Sequence, residues 1–453
     1  MRTDPALNAR TESPTPAARA LVVLIGCLLM LSARPAPAVA SGEGSPVDVQ
    51  WGGHLRAIGT ATFIDSQSIY QFTETGVYED GQAELRLKNE TFLGSKWSLE
   101  THYEAIVAGG DTRTNNSDLG RMFSGQVVNA YTSPSVISDD RRFFNLTHVL
   151  IDEDDVVAYH RLDRLSLNYT PSWGSLRVGR QALTWGNGMV FNPMDLFNPF
   201  APAAVQRDYK VGDDMLLVQV NLGRNEGQAL YVPRRDTASG EISEDQSSYA
   251  VKLHLSQASL ESDIMTARHY DDDIIAWGAT GYLGEAVWRL NAVYTMVSEV
   301  YNQDDFLQVV ANMDYAWLWS GKNVYGTLEF FYSGLGDNDD YARSLASAYI
   351  ADRLSRGDLF TLGDCYMAGL VQIELHPLVS NHWTVIANLR DPSGLLQPQL
   401  LWDAAANLQL ILGAQWHWGA GGTEYGGFNT TVAGRTVKIT PYDQIYLWLT
   451  YSF

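Results

Sequence analysis

Cysteine is almost missing from this sequence, which has only Cys27 and Cys365 among its 453 residues. Cys27 lies in a segment that we predict below to be removed, so the mature chain would keep Cys365 alone. A single cysteine excludes an internal disulfide, a cysteine metal cluster and a Cys-x-x-Cys-His haem attachment. The sequence therefore predicts no bound cofactor and no metal site.

Basic residues are also scarce. The chain has 31 lysines and arginines against 52 aspartates and glutamates, and its formal net charge is −21. No run of basic residues interrupts this excess of acids. Because an acidic surface repels the phosphates of DNA and RNA, nucleic acid is excluded as a partner.

Long apolar runs are absent after the N-terminal region, which excludes membrane-spanning helices, since such a helix needs about 20 apolar residues. The one apolar run, Ala20 to Leu31, is too short to span a membrane. Arginines precede this run, and the small residues Ala38 and Ala40 follow it, as in a secretory signal peptide. We predict a signal peptide at 1–40 and a single mature domain at 41–453.

Leu24, Ile25, Gly26 and Cys27 leave an alternative open, because they resemble a lipoprotein signal in which the cysteine becomes lipidated. Processing at that point would leave the apolar residues 28–31 and a Pro/Ala linker on the mature chain. Cleavage after Ala40 is therefore the preferred interpretation.

The last residues of the chain alternate between two faces, as the side chains of a β-strand do. Ile445, Leu447, Leu449, Tyr451 and Phe453 share one face, and the other face is mostly polar or amphipathic. This pattern resembles the closing strand by which Gram-negative outer-membrane β-barrels are recognised by the barrel assembly machinery. The resemblance implies that Phe453, Tyr451 and Leu449 form an assembly signal. The alternative is an ordinary amphipathic edge strand.

Segments of about ten residues with the same alternation recur through the mature chain, and short turns alternate with longer polar loops. The longest loops are 108–159 and 334–363. The pattern predicts an all-β fold: a single transmembrane antiparallel up-and-down β-barrel of about 18 strands, with 16 as the alternative count. Lipid would cover the apolar faces and water the polar ones. A soluble β-sandwich alternates in the same way, and the terminal signals favour the barrel.

One strand breaks its own alternation, because Arg180 falls on the same face as Leu176 and Val178. The strand then ends in a Trp-Gly-x-Gly sequence and continues into a loop rich in proline, asparagine and phenylalanine. Such a break is typical of a β-bulge and, here, of a segment that folds into the barrel.

The same region carries Gly179-Arg180-Gln181, then Trp185-Gly186, then Asn192-Pro193. This motif resembles alginate-export-type and related porin-like outer-membrane proteins, over roughly residues 174–212. The resemblance implies a wide barrel for solute passage, with Arg177, Arg180 and Gln181 near its constriction. The alternative is a proline-stiffened hairpin without a role in selectivity.

Charges on the predicted lumen side are the candidates for solute recognition. Opposed charges across a narrow aqueous lumen create a transverse field that orients polar solutes and selects ions. The alternative is a ladder of ion pairs that fills the inner wall. The acidic loops favour cations and the arginines favour anions, and this conflict stays open. The candidate lumen residues are Arg86, Lys88, Arg164, Arg177, Arg180, Gln181, Glu100 and Glu104.

These features predict a porin-like outer-membrane channel for the passive passage of small polar or charged solutes, and not an enzyme, since no Gly-x-Ser-x-Gly motif occurs. Expected partners are outer-membrane lipid, lipopolysaccharide, the barrel assembly machinery and the solutes. One alternative is a barrel that sheathes a periplasmic or outer-membrane multihaem cytochrome. Weaker alternatives are an outer-membrane receptor and a hydrolase.

Overall fold

The computed structural model describes residues 47–73, 76–123, 138–197, 199, 209–432 and 434–453. The predicted signal peptide 1–40, its cleavage site and Cys27 lie outside the described residues. None of the helices among the described residues is long and apolar enough to cross a membrane.

Strands make up most of the described chain. In chain order they are β1 (Val47–Phe63), β2 (Val77–Leu93), β3 (Trp97–Gly110), β4 (Thr147–Asp152), β5 (Val156–Tyr169), β6 (Gly174–Gln181), β7 (Asp213–Leu222), β8 (Asn225–Arg235), β9 (Ile242–Gln257), β10 (Leu260–His269) and β11 (Asp272–Leu283). They continue with β12 (Ala286–Met296), β13 (Phe306–Trp319), β14 (Lys322–Ser333), β15 (Cys365–His376), β16 (Val379–Asn388), β17 (Ser393–Ala405), β18 (Leu408–Trp418), β19 (Phe428–Val432), β20 (Arg435–Ile439) and β21 (Asp443–Ser452).

Nineteen of these strands form one closed antiparallel sheet, in which β1 pairs with β2 on one side and with β21 on the other. Because β4 and β6 share one place beside β5, the wall is 18 strands around. The peptide groups of Gly53 and Phe453 close the wall with reciprocal hydrogen bonds of 2.9 and 3.0 Å. Closure pairs the backbone of every wall strand with neighbours, which a structure in hydrocarbon requires. The predicted all-β barrel and its count of 18 strands are confirmed, and the alternative count of 16 is wrong.

The two faces of the wall differ as a membrane barrel requires. Side chains that point outward are apolar and exposed, as with Val251, Ile275 and Leu328, which are 56%, 55% and 57% exposed. Their neighbours along the chain point into the barrel. An exposed apolar belt of this kind suits contact with lipid.

Long connections lie at one end of the barrel and short turns at the other. Where they are described, the long connections contain three α-helices, α1 (Asp111–Met122), α2 (Tyr341–Ala346) and α3 (Ala348–Arg356), and the separate hairpin β19–β20. Their apolar side chains pack into one buried cluster. In outer-membrane barrels the long loops are extracellular and the short turns periplasmic.

The predicted β-bulge lies on a different strand from the one that the sequence indicated. β6 keeps an unshifted register with both β5 and β7, so the prediction of a bulge in β6 is wrong. The register shift falls on β5, where Asp163 is inserted opposite His102 and Tyr103. As a result Asp163 and its neighbour Arg164 are both buried inside the barrel.

β6 is short, and β4 takes over its place beside β5 towards the long-loop end. β4 pairs with residues 157–161 of β5, whereas β6 pairs with residues 165–169. The chain leaves the wall after Gln181 and returns to it at Asp213. This departure supplies the segment that enters the barrel.

Candidate functional site

Residues 182–197 fold into the barrel and are called the inward segment below. Its apolar side chains Trp185, Met194, Leu196 and Phe197 are buried against the inner face of the wall. The Trp185 indole Nε1 donates to Gln228 Oε1 at 2.6 Å. The prediction of an inward-folded segment is therefore confirmed.

The inner face beneath the inward segment is apolar. The expectation that inward faces suit water is wrong for an apolar patch on β7 to β12, because the inward segment covers that patch. Gly278 permits the close approach, since a Cβ there would lie 3.3 Å from the sulfur of Met194. The apolar wall consists of Met215, Leu217, Leu230, Val232, Ala250, Met265, Ala267, Ile274, Ala276 and Val293.

The tip of the inward segment reaches strands far round the wall from β6. Phe191 stacks on Phe331 of β14, with ring centroids 4.6 Å apart and an interplanar angle of 15°. It also contacts Tyr366 of β15 at 5.5 Å between centroids. β14 is eight strands from β6 in the closed wall, so the inward segment lines close to half of the lumen and narrows it.

A cavity of about 440 Å³ lies between the inward segment and the residues that follow α3. Met189, Leu196 and Phe360 supply apolar lining, and Gln308 and Thr361 supply neutral polar groups. Its charged or titratable lining residues are Asp195, Lys210, His269, Arg353 and Asp358. Both signs of charge therefore meet at this narrow part of the barrel.

Asp195 and Lys210 form an ion pair within the lining of this cavity. Burial raises the pKa of Asp195 to about 6, against the opposing effect of the Lys210 ammonium. A carboxyl with such a pKa changes its charge between pH 5 and pH 7. The charge balance of the cavity is therefore sensitive to mild acid.

Asp358 is the second acid of the cavity. Burial alone would raise its pKa, but His269 and the neighbouring arginines outweigh burial and hold the pKa below its usual range. The Arg356 Nε lies 3.0 Å from Asp358 Oδ2, and His269 Nε2 lies 3.6 Å from the same oxygen. Asp358 therefore keeps its negative charge in the pH range in which Asp195 becomes neutral.

No model of a protein family matches this sequence, and no curated protein matches it. Solved structures do resemble the fold. The crystal structure of Acinetobacter baumannii OccAB2 has a TM-score of 0.52 and 10% identity, over 90% of this chain and 98% of that one. The structure of Pseudomonas aeruginosa OprD has a TM-score of 0.51 and 10% identity, over 90% and 95% of the two chains. Both are outer-membrane porins.

This chain has the fold of an outer-membrane porin. At 10% identity the likeness is one of fold. The porin-like Gram-negative barrel predicted from the sequence is thus confirmed at the level of fold.

Three of the predicted lumen residues, Arg86, Arg164 and Glu104, form a buried charged cluster on the barrel wall with Arg161 and Asp163. Arg86 Nη2 donates to Asp163 Oδ2 at 2.7 Å, and Arg86 also pairs with Glu104. Arg161 Nε donates to Glu104 Oε2 at 2.6 Å, and Arg164 Nη1 contacts Asp163 at 2.5 Å. The three arginines and two carboxylates are buried, so charges are largely balanced within the wall.

The chain that returns from the inward segment covers this charged cluster. The Arg86 guanidinium lies over the ring of Tyr209 at 3.9 Å. Arg164 Nη2 donates to the backbone oxygen of Lys210 at 2.7 Å, and the Gly212 N–H donates to Asp163 Oδ1 at 3.0 Å. The cluster therefore supports residues 209–212 on the wall.

Arg180 and Gln181 lie where the inward segment leaves the wall. Arg180 binds Asp214 and Asp139, and both Arg180 and Gln181 are 1% exposed. Arg177 is half-buried and donates to Asn168 Oδ1 at 2.5 Å. The structure therefore does not bring Arg177, Arg180 and Gln181 together around the cavity.

Lys88 and Glu100 are the predicted lumen residues with more solvent access. Lys88 is exposed, and Glu100 is partly exposed beside His102, whose Nε2 lies 3.4 Å from Glu100 Oε1. The contribution of these side chains to selectivity stays a prediction.

Sequence reasoning missed the residues that hold and line the narrow part. Asp195, Lys210 and Glu329 were not singled out, nor were Arg353 and Asp358. Glu329 had one signal, because strand alternation places this acid inside the barrel among aromatic neighbours. Asp195, Lys210 and Asp358 come from irregular segments, where no periodicity indicates direction, and Arg353 comes from the short helix α3.

Proposed function

We propose that this chain is a porin-like outer-membrane channel for the passive passage of small polar or charged solutes. The observation that carries the proposal is the inward segment, which narrows a closed barrel and leaves a cavity lined by both signs of charge. A narrowed lumen with fixed charges sieves solutes by size and charge. No catalytic step is part of the proposal.

Selectivity in this proposal depends on the charges that solvent reaches. Lys88, Glu100 and Arg177 would contact solutes on the short-turn side of the lumen. The buried side chains would instead support the wall and the inward segment. These supporting residues are Arg86, Arg164, Arg180, Gln181 and Glu104.

The cytochrome sheath is the less favoured alternative. A barrel that houses a folded haem protein needs an interior free of its own chain. Here the inward segment packs along β7 to β14, and residues 209–212 cover the charged cluster on β2, β3 and β5. These contacts favour a solute channel.

Export and assembly complete the proposal. Residues 1–40 would direct export and be removed, and residues 41–453 would form the barrel. Phe453, Tyr451 and Leu449 on β21 would serve the barrel assembly machinery, and lipopolysaccharide would surround the long-loop end. The finer assignment to the alginate-export-type group rests on the Gly179-Arg180-Gln181 motif and the residues that follow it.

Single-channel conductance of the refolded mature chain in a planar bilayer tests the function. We expect stable open steps, and a potassium chloride gradient would give the ion preference from the reversal potential. Lys88→Glu should shift that preference towards cations and Glu100→Lys towards anions. Silence from a correctly folded barrel would overturn the proposal.

A further inference from the structure

Five consecutive backbone N–H groups at the tip of the inward segment, from Asn187 to Phe191, donate to side chains of two wall strands, β12 and β14. Asn291 of β12 accepts from Asn187 and Gly188 at 3.0 and 3.2 Å, in the amide orientation that these donors require. Glu329 of β14 accepts from the next three N–H groups, at 2.7, 3.0 and 2.6 Å. The tip is therefore bound through its backbone.

Asn312 of β13 connects these contacts. It stands directly opposite Glu329 in the register of β13 and β14. Its Nδ2 donates to Glu329 Oε2 at 3.0 Å and to the backbone oxygen of Asn187 at 3.1 Å. Side chains of the wall thus accept hydrogen bonds from the five N–H groups of the tip and donate one to the backbone oxygen of Asn187.

Glu329 is the one charged group in this arrangement. It is fully buried, and among the described residues it forms no ion pair. A buried carboxylate is costly unless hydrogen bonds compensate for lost water. Three successive N–H groups form a concave anion site of the kind called a nest, and they supply most of that compensation.

The inward segment is also shaped for this contact. A Cβ at Gly188 would lie 1.8 Å from the backbone oxygen of Phe191, so the turn that gathers the three N–H groups requires glycine. Phe191 then stacks on Phe331, two residues beyond Glu329 on the same strand. The tip and the wall are complementary in both charge and shape.

We propose that Glu329 is the positioning residue that holds the inward segment against the wall, and that residues 189–191 form a carboxylate-binding nest which Glu329 fills from within the chain. Without this carboxylate the tip leaves the wall, and the lumen at the cavity changes in width. This inference rests on the proposed channel function. It adds a binding site for carboxylates and a residue that determines the width of the lumen.

The experiment compares Glu329→Ala with the wild type in planar bilayers, in potassium chloride and with part of it replaced by potassium formate. We expect the variant to change the single-channel conductance about twofold or more, with frequent transitions between levels, because conductance follows the open cross-section. Formate at about 50 mM should restore the wild-type level by occupying the nest.

Asp314→Ala is the matched control. Asp314 is an inward carboxylate on β13 that binds Arg289 and Tyr325 and makes no hydrogen bond to the inward segment. Its removal changes the lumen charge equally. We expect no formate-dependent recovery in this variant. Recovery in both variants would show a general effect of formate and overturn the nest.

Chymotrypsin cleavage provides a second measurement that does not depend on conduction. Trp185 and Phe191 are 2% and 5% exposed, so the inward segment should resist cleavage in the wild type. Glu329→Ala should expose it, and formate should protect it again. Glu329→Gln keeps one oxygen acceptor and should show a smaller effect, which supplies a milder variant if the alanine variant fails to fold.

The outcomes separate the two proposals. If the wild type is silent but cleavage depends on Glu329 and formate, the channel function fails and the nest stands. If the wild type conducts while folded Glu329→Ala and Glu329→Gln match it in conductance and cleavage, the nest fails and the channel stands.

Discussion

Arg180 and Asp214 form a two-point ion pair inside the barrel, in which Arg180 Nε donates to Oδ1 at 2.9 Å and Nη2 donates to Oδ2 at 3.0 Å. Arg180 Nη1 also donates to both carboxylate oxygens of Asp139, at 3.0 and 3.2 Å. One guanidinium thus ties β6 and β7 to the connection between α1 and β4. The pair fixes the point where the inward segment departs.

Arg180→Ala should strongly destabilise the barrel. It leaves Asp214 and Asp139 buried with fewer cations, and breaking a buried pair of this kind costs about 3–5 kcal/mol. Denaturant unfolding of the refolded chain in detergent measures the free energy of unfolding. Arg177→Ala is the control on the same strand, because Arg177 is only half-buried and should cost much less. Equal losses would contradict the structural role of the Arg180 network.

Asp195 should make ion selectivity depend on pH. Its pKa is raised to about 6, so the carboxyl is charged at pH 7 and mostly neutral at pH 5. Acidification removes one negative charge from the cavity and should lower the cation-to-anion permeability ratio. Reversal potentials in a salt gradient measure that ratio between pH 5 and pH 7.5. Asp195→Asn should abolish the step near pH 6, while Asp304→Asn, at an exposed loop acid, should preserve it.

The same group affects stability in a defined direction. Because its folded pKa lies above the ordinary aspartate value of 3.8, the contribution of Asp195 to stability is fully present below about pH 3.8 and is lost as pH rises through about 6. Asp195→Asn should therefore narrow the difference in free energy of unfolding between pH 5 and pH 7.5. If the free energies of unfolding at pH 5 and pH 7.5 differed as much in Asp195→Asn as in the wild type, the raised pKa would be contradicted.

Val251→Arg tests the lipid face. Val251 points outward on β9 and is 56% exposed, so a charge there enters hydrocarbon. Near the midplane this costs about 2–4 kcal/mol. Lys252→Arg, at the next residue and on the inward face, is the matched control and should cost little. Equal free energies of unfolding for the two variants would show that the faces are assigned wrongly.

Removal of Phe453 tests the assembly signal. The backbone of Phe453 closes the wall against Gly53, and its ring lies against that glycine. We expect deletion to lower the amount of barrel in the outer membrane and leave export to the periplasm intact. Trp416→Ala, at an exposed outward aromatic on β18, should assemble normally. Normal outer-membrane levels after the deletion would discredit the signal.

Strand alternation predicted the wall well because the two faces of each wall strand meet different environments, the outside and the interior of the barrel. Val251 and Lys252 show this directly, since the sequence places them on opposite faces and the structure exposes Val251 on the outer face and turns Lys252 inward. The alternation of short turns and long loops then indicated 18 strands. The local sequence pattern is enough to predict the direction of a side chain wherever successive residues face different environments.

The interior was harder to predict because its contacts join distant parts of the chain. Glu329 binds Phe191 across 138 residues, and Arg180 binds Asp139 across 41. Met265 and Val293 are inward and apolar because the inward segment covers them. Alternation predicts that a side chain points inward, but it does not predict which residues the side chain contacts inside the barrel.

The pairing of β1 with β21 joins the two ends of the described wall. Arg56 and Thr450, which touch across this seam, are 394 residues apart. Contacts between such distant residues form slowly because a long loop must close first. Until the last strand arrives, β1 keeps a bare edge that another strand can join. We therefore expect the seam to form late in folding, and the open edge of β1 to need protection from other strands until then.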